Sequence, residues 1–443
     1  MLPPMAAHEI FLIVFLILFS IHVVLERVLT VLNLRYVRAH AGAVPEMFKD
    51  AISAENYARS IEYTAARARF GHVTAIFSAL LTLAYLFTEY IQGLTLLASE
   101  LSNYLDHPFS ELTLSVVQVA IFLGVNTLIW LPFNLWDTFM LEARFGFNKT
   151  DLKTFVMDRI KGLILGVILG LPFLYAALYL ILYSGPWGWL YAGCFVIAFQ
   201  FAMMILIPLV IAPLFNKFSP LQDGELKSSL EHLAERCKFA TCGIFVVDGS
   251  RRSSHSNAYF TGLGRARRIV LFDTLVEQLS IPELSAVLAH EIGHYKLKHI
   301  LKTMVFGALY TFVGFYVLDK AIHWAPLYQA FQLGNHHIHE KGLLAMMIIS
   351  GHFTFWLGPL MNALSRKHEY EADAFAARAT ADSGGGGALE SALIKLFEKN
   401  LGTLTPHPAY SAYHFSHPAL IERVGALRRV SAQIAQSTAA GAG

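Results

Sequence analysis

The sequence predicts a mainly α, polytopic membrane protein of about seven transmembrane helices, with a soluble α+β unit interrupted by the last two of them. Three observations predict it. Of the 443 residues 55% are hydrophobic and only 15% charged, against about 25% charged in ordinary soluble domains. Apolar runs near the ~20 residues a span needs recur along the chain. The polar blocks between them alternate in basic content. A net charge of +2 gives no basic surface for nucleic acid, so none is expected as a partner.

The spans are read at Ile10–Leu25, Val73–Ile91, Leu112–Phe133, Leu163–Tyr183, Trp189–Pro213, Leu301–Leu318 and Leu343–Leu364. No basic stretch precedes the first run and no small-residue cleavage site follows it, so it reads as a retained helix. The segment Glu26–Phe70 carries Arg27, Arg35, Arg38, Lys49, Arg59, Arg67 and Arg69, whereas Gln92–Glu111 carries no Lys or Arg. The third connection is again basic, through Arg144, Lys149, Lys153, Arg159 and Lys161, and the fourth is the tight uncharged turn SGPWG. Positive charge gathers on the cytoplasmic side of a membrane. The N-terminus is therefore expected outside and the C-terminus inside, with every large polar block in the cytoplasm.

This divides the chain into residues 1–215 with five spans, 216–300 as the first soluble piece, 301–364 with two spans, and 365–443 as the second soluble piece. In the first piece GELKSSLEHLAERCKF has helical spacing, GIFVVD, NAYF and RRIVLF read as strands, and PELSAVLAHEIGHYKLKH reads as a helix with Pro282 in its first turn. The second piece is mostly helical, with DSGGGG (Asp382–Gly387) as a flexible loop and the tail STAAGAG as disordered. Cys194, Cys237 and Cys242 make no disulfide framework, and Cys194 is expected to be buried in its apolar run.

The chemistry lies in LAHEIGHYKLKH, Leu288–His299. His290 and His294 are four apart, about 400° of helical rotation, so both imidazoles share one face and can share one metal ion. Glu291 is offset by about 100°. From there it can reach a water in the metal's open position without ligating the metal, as a general base must. His299 lies five residues beyond His294, about 140° away, and cannot join the same metal from an unbroken helix. Leu297 and Ile300 occupy the places where HExxHxxGxxH needs Gly and His, which excludes that class.

A catalytic zinc takes three protein ligands, and the third is sought in SRKHEYEADAFA, Ser365–Ala376, which continues the last span as a helix. Its carboxylates are Glu369, Glu371 and Asp373. Glu369 and Asp373 share a face, so Glu369 can ligate while Asp373 hydrogen-bonds the far nitrogen of a ligand histidine. Glu371 reads as a solvated acid near a helix start.

These two stretches, with about seven spans, resemble the M48 metallopeptidases of the Ste24 type, the CAAX prenyl proteases. EARFGFNKT (Glu142–Thr150), SNAYFTGLG (Ser256–Gly264) and FSHPALIER (Phe415–Arg423) fit the same type. The resemblance implies a gluzincin-like site with one zinc ion per chain, held by His290, His294 and Glu369, with Glu291 as base. It implies that His417 stabilises the oxyanion and that Asn257 and Ala258 hold an extended substrate at a strand edge. Arg366 and Arg423 match basic positions of the family pattern and are read as structural or electrostatic. It also implies a helical barrel around a water-filled chamber, which Asn126, Asn134, Asp137, His352 and Asn362 would suit as lining.

The expected partners are a peptide or protein substrate, prenylated or membrane-associated, and the lipid bilayer. A bacterial cytoplasmic membrane is favoured over the endoplasmic reticulum by the compact chain. A second reading keeps the chemistry but assigns quality-control cleavage without prenyl specificity. A third, of another class, is a seven-span receptor or transporter with a structural zinc. The His-rich stretch GNHHIHEK, which includes His336–His339, reads as an interfacial loop. No G-x-S-x-G occurs, which argues against a serine hydrolase.

Overall fold

The computed structural model describes residues 5–105, 109–262, 267–334 and 339–441. Six helices between 24 and 34 residues long are apolar enough to cross a membrane: Ala7–Ala39, Ala54–Phe87, Glu111–Glu142, Leu152–Tyr183, Gly185–Phe215 and His299–Ile322. The pair His339–Thr354 and Leu357–Ala379, bent by 59°, is together long and apolar enough to count as a seventh. The expected polytopic, mainly α protein is therefore what forms. The last span is bent where the sequence suggested one continuous run.

Side-chain caps explain where several of these helices begin. Ser53 accepts from Asn56 N at 3.1 Å, Ser110 from Thr113 N at 3.2 Å and Asp151 from Thr154 N at 2.7 Å, each satisfying an N–H that the helix cannot pair. At 33 and 34 residues the first two helices are about 50 Å long, well beyond a ~30 Å hydrocarbon core. Their excess length meets the soluble unit: Asn33 Oδ1 accepts from His407 N at 2.9 Å, and Asn56 donates to Glu398 at 2.6 Å. The loop between them inserts Phe48 and Ile52 into the soluble core beside Leu230, Ile244 and Ile269.

The soluble unit holds a four-stranded sheet: β1 (Phe218–Pro220), β2 (Ile244–Val247), β3 (Ala258–Thr261) and β4 (Arg268–Phe272), in the order β1-β2-β4-β3. β3 runs antiparallel to β4, with Ala258 opposite Leu271, and stands at the sheet edge. β1 was not visible in the sequence because three residues carry no alternation.

The HExxH helix, Ile281–Lys296, starts at a capping box in which Ser280 N donates to Glu283 at 2.8 Å. Burial alone would raise the Glu283 carboxyl, but hydrogen bonds from Lys395, Ser391 and Ser280 outweigh it and hold the group at about 2. This ionised residue ties the helix start to the helix Gly385–Lys399 through Lys395 at 2.7 Å and Ser391 at 2.6 Å.

Several local expectations need correction. The HExxH helix does not run to His299. It stops at Leu297, Lys298 turns left-handed with φ 58°, and a new helix begins at His299. Gly385–Gly387 form a helical first turn, not a loop, because Gly384 at φ 101° turns the chain and lets that helix start. STAAGAG is not disordered through residue 441, because the helix Leu420–Gly441 carries through it. The connection Gln92–Glu111 holds most of a 15-residue helix, Tyr90–Tyr104, which also takes in the last two residues read as the second span. Cys194 is exposed on its helix, and all three cysteines are free. Residues 335–338 of the His-rich stretch, and 263–264 of SNAYFTGLG, lie outside the described residues.

Candidate functional site

The HExxH helix packs against the helix Leu357–Ala379, and Gly293 sits at their closest approach. A Cβ there would lie 3.2 Å from Ala372 Cα and 3.2 Å from Phe375 Cβ. That contact brings His290 and His294 against Glu369, some eighty residues later in the chain. His290 Nε2 lies 3.1 Å from His294 Nε2 and 3.5 Å from Glu369 Oε2, and His294 Nε2 lies 3.3 Å from Glu369 Oε1. Metal–ligand bonds of about 2.0–2.2 Å at the tetrahedral angle place donors about 3.3 Å apart. These residues also form the one group of metal-ligating side chains found among the described residues. Glu369 Oε2 is buried and accepts no hydrogen bond. The Arg423 guanidinium lies 3.2 Å from it without making a hydrogen bond, which leaves acceptor capacity on this buried oxygen for a further cation. The donor set thus fits a divalent metal.

Each histidine is held from behind. His290 Nδ1 lies 2.8 Å from Asp373 Oδ1. Burial disfavours charge on His290, but Asp373 and Glu369 outweigh it and push the imidazole up to about 9. A metal there competes with a proton. Asp373 in turn accepts both Nε and Nη2 of Arg423 at 2.7 Å. Arg423, 5% exposed, also lies 3.2 Å from Glu369 Oε2. The sequence flagged Arg423 only as a basic position of a family pattern; six residues beyond His417, it had no helical register to mark it as inward-facing.

Glu291 lines the same cavity of about 330 Å³ as His290, Glu369, His417, Asn257 and Ala258. Burial pushes its carboxyl above the usual range, against the pull of His290 and His294, which suits a proton acceptor working near neutrality. His417 Nε2 lies 3.4 Å from Glu369 Oε1, and its Nδ1 is 3.0 Å from Ser416 Oγ. Its loop is anchored by the helix that carries Glu369: Asn362 donates to Tyr413 O at 2.7 Å and Arg366 to Phe415 O at 2.6 Å. Asn257 closes the start of β3, where its Oδ1 accepts from Ala258 N at 2.9 Å and its carbonyl from Phe272 N at 3.0 Å.

Two further groups escaped sequence reasoning. Glu371 is not a solvated acid at a helix start. It lies mid-helix and pairs with buried His299 at 2.9 Å. Glu142, within EARFGFNKT, accepts from Tyr63 at 2.8 Å and lies 3.5 Å from His255, whose Nδ1 lies 2.9 Å from Asn400 Oδ1 at the cavity rim. That stretch therefore joins the membrane helices to the lead-in of β3. Of the residues suited to a chamber lining, Asn126 accepts from Tyr85 at 2.9 Å, Asn134 donates to Trp130 O at 2.9 Å, Asp137 accepts from Arg67 at 2.8 Å, and His352 lies 3.0 Å from His22.

A multi-pass membrane protein whose soluble unit gathers HExxH, a distant glutamate and an edge strand around one cavity is an integral-membrane metallopeptidase. The comparisons with known proteins agree. Residues 33–217 match the profile of the CAAX prenyl protease N-terminal region with five membrane helices, and residues 220–431 match that of peptidase family M48. CAAX prenyl protease 1 of Saccharomyces cerevisiae is 38% identical over 90% of this chain and 91% of its own. A homologue from Arabidopsis thaliana is 36% identical over 90% and 93%. The crystal structure of S. mikatae Ste24p superposes with a TM-score of 0.86 at 34% identity, covering 96% of this chain and all of that one. The chain belongs to peptidase family M48, and it is a membrane metalloprotease that acts on peptide or protein substrates.

Proposed function

We propose that this protein is a zinc endopeptidase in which His290, His294 and Glu369 hold the ion and Glu291 and His417 carry the proton and oxyanion work. The observation that carries the reading is the convergence of His290, Glu291, Glu369 and His417 on one cavity beside the edge strand β3, with His294 grouped with His290 and Glu369 at its wall. Two imidazoles and one carboxylate are the donor set of hydrolytic zinc sites. When bound, zinc supplies Lewis acidity to the scissile carbonyl and lowers the pKa of water.

Glu291 accepts the proton of the attacking water and returns it to the leaving amide nitrogen. His417 donates a hydrogen bond to the oxyanion as charge develops on it. At the edge of β3, the Ala258 main chain and the Asn257 side-chain amide hold the extended main chain of the substrate. Asp373 fixes His290 with Nδ1 protonated and Nε2 toward the metal.

The relatives' names support a prenylated CAAX protein as the substrate class. The alternation of basic segments supports a peptidase unit on the cytoplasmic face. The divisions 1–215, 216–300, 301–364 and 365–443 follow, with the peptidase unit interrupted by two spans.

The test is purified wild type beside Glu291→Gln, with bound zinc measured in each and cleavage followed on a farnesylated CAAX peptide and its unfarnesylated twin. About one zinc in both proteins, cleavage by wild type alone and preference for the lipidated peptide are expected. Cleavage by Glu291→Gln at the wild-type rate would remove Glu291 from the chemistry. Equal cleavage of the two peptides would replace prenyl processing by quality control.

A further inference from the structure

Behind His294 lies a second relay that the mechanism above does not use. The break at Leu297–Lys298 redirects the chain, so His299 returns onto the HExxH helix. Its ring is 3% exposed and stacks on His368 at 4.1 Å with an interplanar angle of 9°. His299 Nδ1 lies 3.1 Å from His294 Nδ1, and His299 Nε2 lies 2.9 Å from Glu371 Oε2. Lys367 stands 3.9 Å from the other oxygen of Glu371.

The direction of every hydrogen bond in this chain follows from its carboxylate end. An ionised Glu371, partly exposed beside Lys367, only accepts. His299 Nε2 must therefore carry the hydrogen. A neutral imidazole has one N–H, which leaves His299 Nδ1 as an acceptor. His294 Nδ1 must then donate to it, and His294 Nε2 keeps a free lone pair. That lone pair faces His290 Nε2 at 3.1 Å and Glu369 Oε1 at 3.3 Å.

We infer that Glu371 and His299 form a two-residue relay that locks His294 in its metal-binding tautomer. His299 is thus a positioning residue, the counterpart for His294 of what Asp373 is for His290. A carboxylate acting through an intervening imidazole reaches a nitrogen that Glu371 does not touch directly. The inference rests on the proposed metal site.

The experiment measures metal affinity, not turnover. Wild type, His299→Phe, His299→Gln and Glu371→Ala are purified whole in detergent, stripped, and titrated with Zn²⁺ against a chromophoric chelator. Co²⁺ absorption reports the ligand field, and thermal unfolding of the stripped proteins is recorded alongside. His299→Phe keeps the stacked ring but offers no nitrogen, and a 10- to 100-fold rise in Kd of about the size seen for lost outer-shell partners is expected. His299→Gln can accept from His294 and donate to Glu371, so it is expected to recover most of that loss. Glu371→Ala, altered at a partly exposed position, is expected to weaken binding several-fold and shift the Co²⁺ spectrum, with stripped-state unfolding near wild type. A His299→Phe or Glu371→Ala protein that folds and binds Zn²⁺ within twofold of wild type would overturn the relay. So would equal losses in His299→Phe and His299→Gln. Failure of wild type itself to bind metal would instead overturn the site reading on which the relay stands.

Discussion

Gly293→Ala sets two opposed effects against each other at the contact that assembles the site. Alanine has about 1 kcal/mol better helix propensity than glycine. The added methyl, however, would stand 3.2 Å from Ala372 Cα, Ala372 O and Phe375 Cβ, where carbon pairs prefer about 3.5–4.0 Å. Two of those three atoms are backbone, so the shortfall must be met by helices moving apart by a few tenths of an ångström. Overpacking of this kind costs about 1–3 kcal/mol. The net effect on stability is therefore small, between neutral and about 2 kcal/mol destabilising.

The effect on the site is larger, because Gly293 adjoins His294 and Ala372 adjoins Asp373. Separating these helices pulls His290 and His294 away from Glu369, whose donor gaps of 3.3 and 3.5 Å already reach the upper side of tetrahedral spacing. A loss of metal affinity of tenfold or more, about 1.4 kcal/mol, is expected. Chelator competition measures it, and thermal unfolding of the detergent-solubilised protein measures the stability. A Gly293→Ala protein stabilised by the full propensity gain, with unchanged metal affinity, would show that the two helices have slack and refute the argument.

Asp373→Asn, of nearly equal size, removes the anion that faces both His290 Nδ1 and Arg423. Metal affinity is expected to fall 10- to 100-fold, and buried Arg423 to lose its main counter-ion at a stability cost of about 3–5 kcal/mol; wild-type values for both would sink the assignment. The hydrogen bond that His255 donates to Glu142 holds the imidazole protonated to a higher pH than the free side chain. Because the folded pKa is raised, this contribution is complete below about pH 6.5 and is lost as pH rises through the folded pKa. Melting temperature is thus expected to fall modestly as pH rises above about 6.5, and His255→Gln to flatten that part of the profile; an identical slope in the variant would exclude His255 as its source.

The amount legible in the sequence differed sharply between the membrane region and the site. Spans were readable because a lipid-exposed helix must be apolar over a fixed length whatever it packs against, so the signal is local. His290, Glu291 and His294 stood out for the same reason: one helical turn sets their relation, and no other part of the chain is needed to state it. Asp373 was legible as a partner through its four-residue spacing from Glu369.

What stayed hidden depended on chain direction or on long-range packing. His299 was set aside on the premise of an unbroken helix, yet one left-handed residue, Lys298, returns it to the neighbourhood of His294. A lysine carries no strong signal for that conformation, so only the assembled structure decided it. Glu371 took its role from His299, and Arg423 from Asp373, each more than forty residues away in sequence. The sequence by itself determined the membrane spans and the half-site borne on one helix, because local geometry and hydropathy suffice for both. Only the tertiary structure decided that His299, Glu371 and Arg423 back that half-site, because those contacts arise where two helices close on a glycine and nothing in either helix alone requires them.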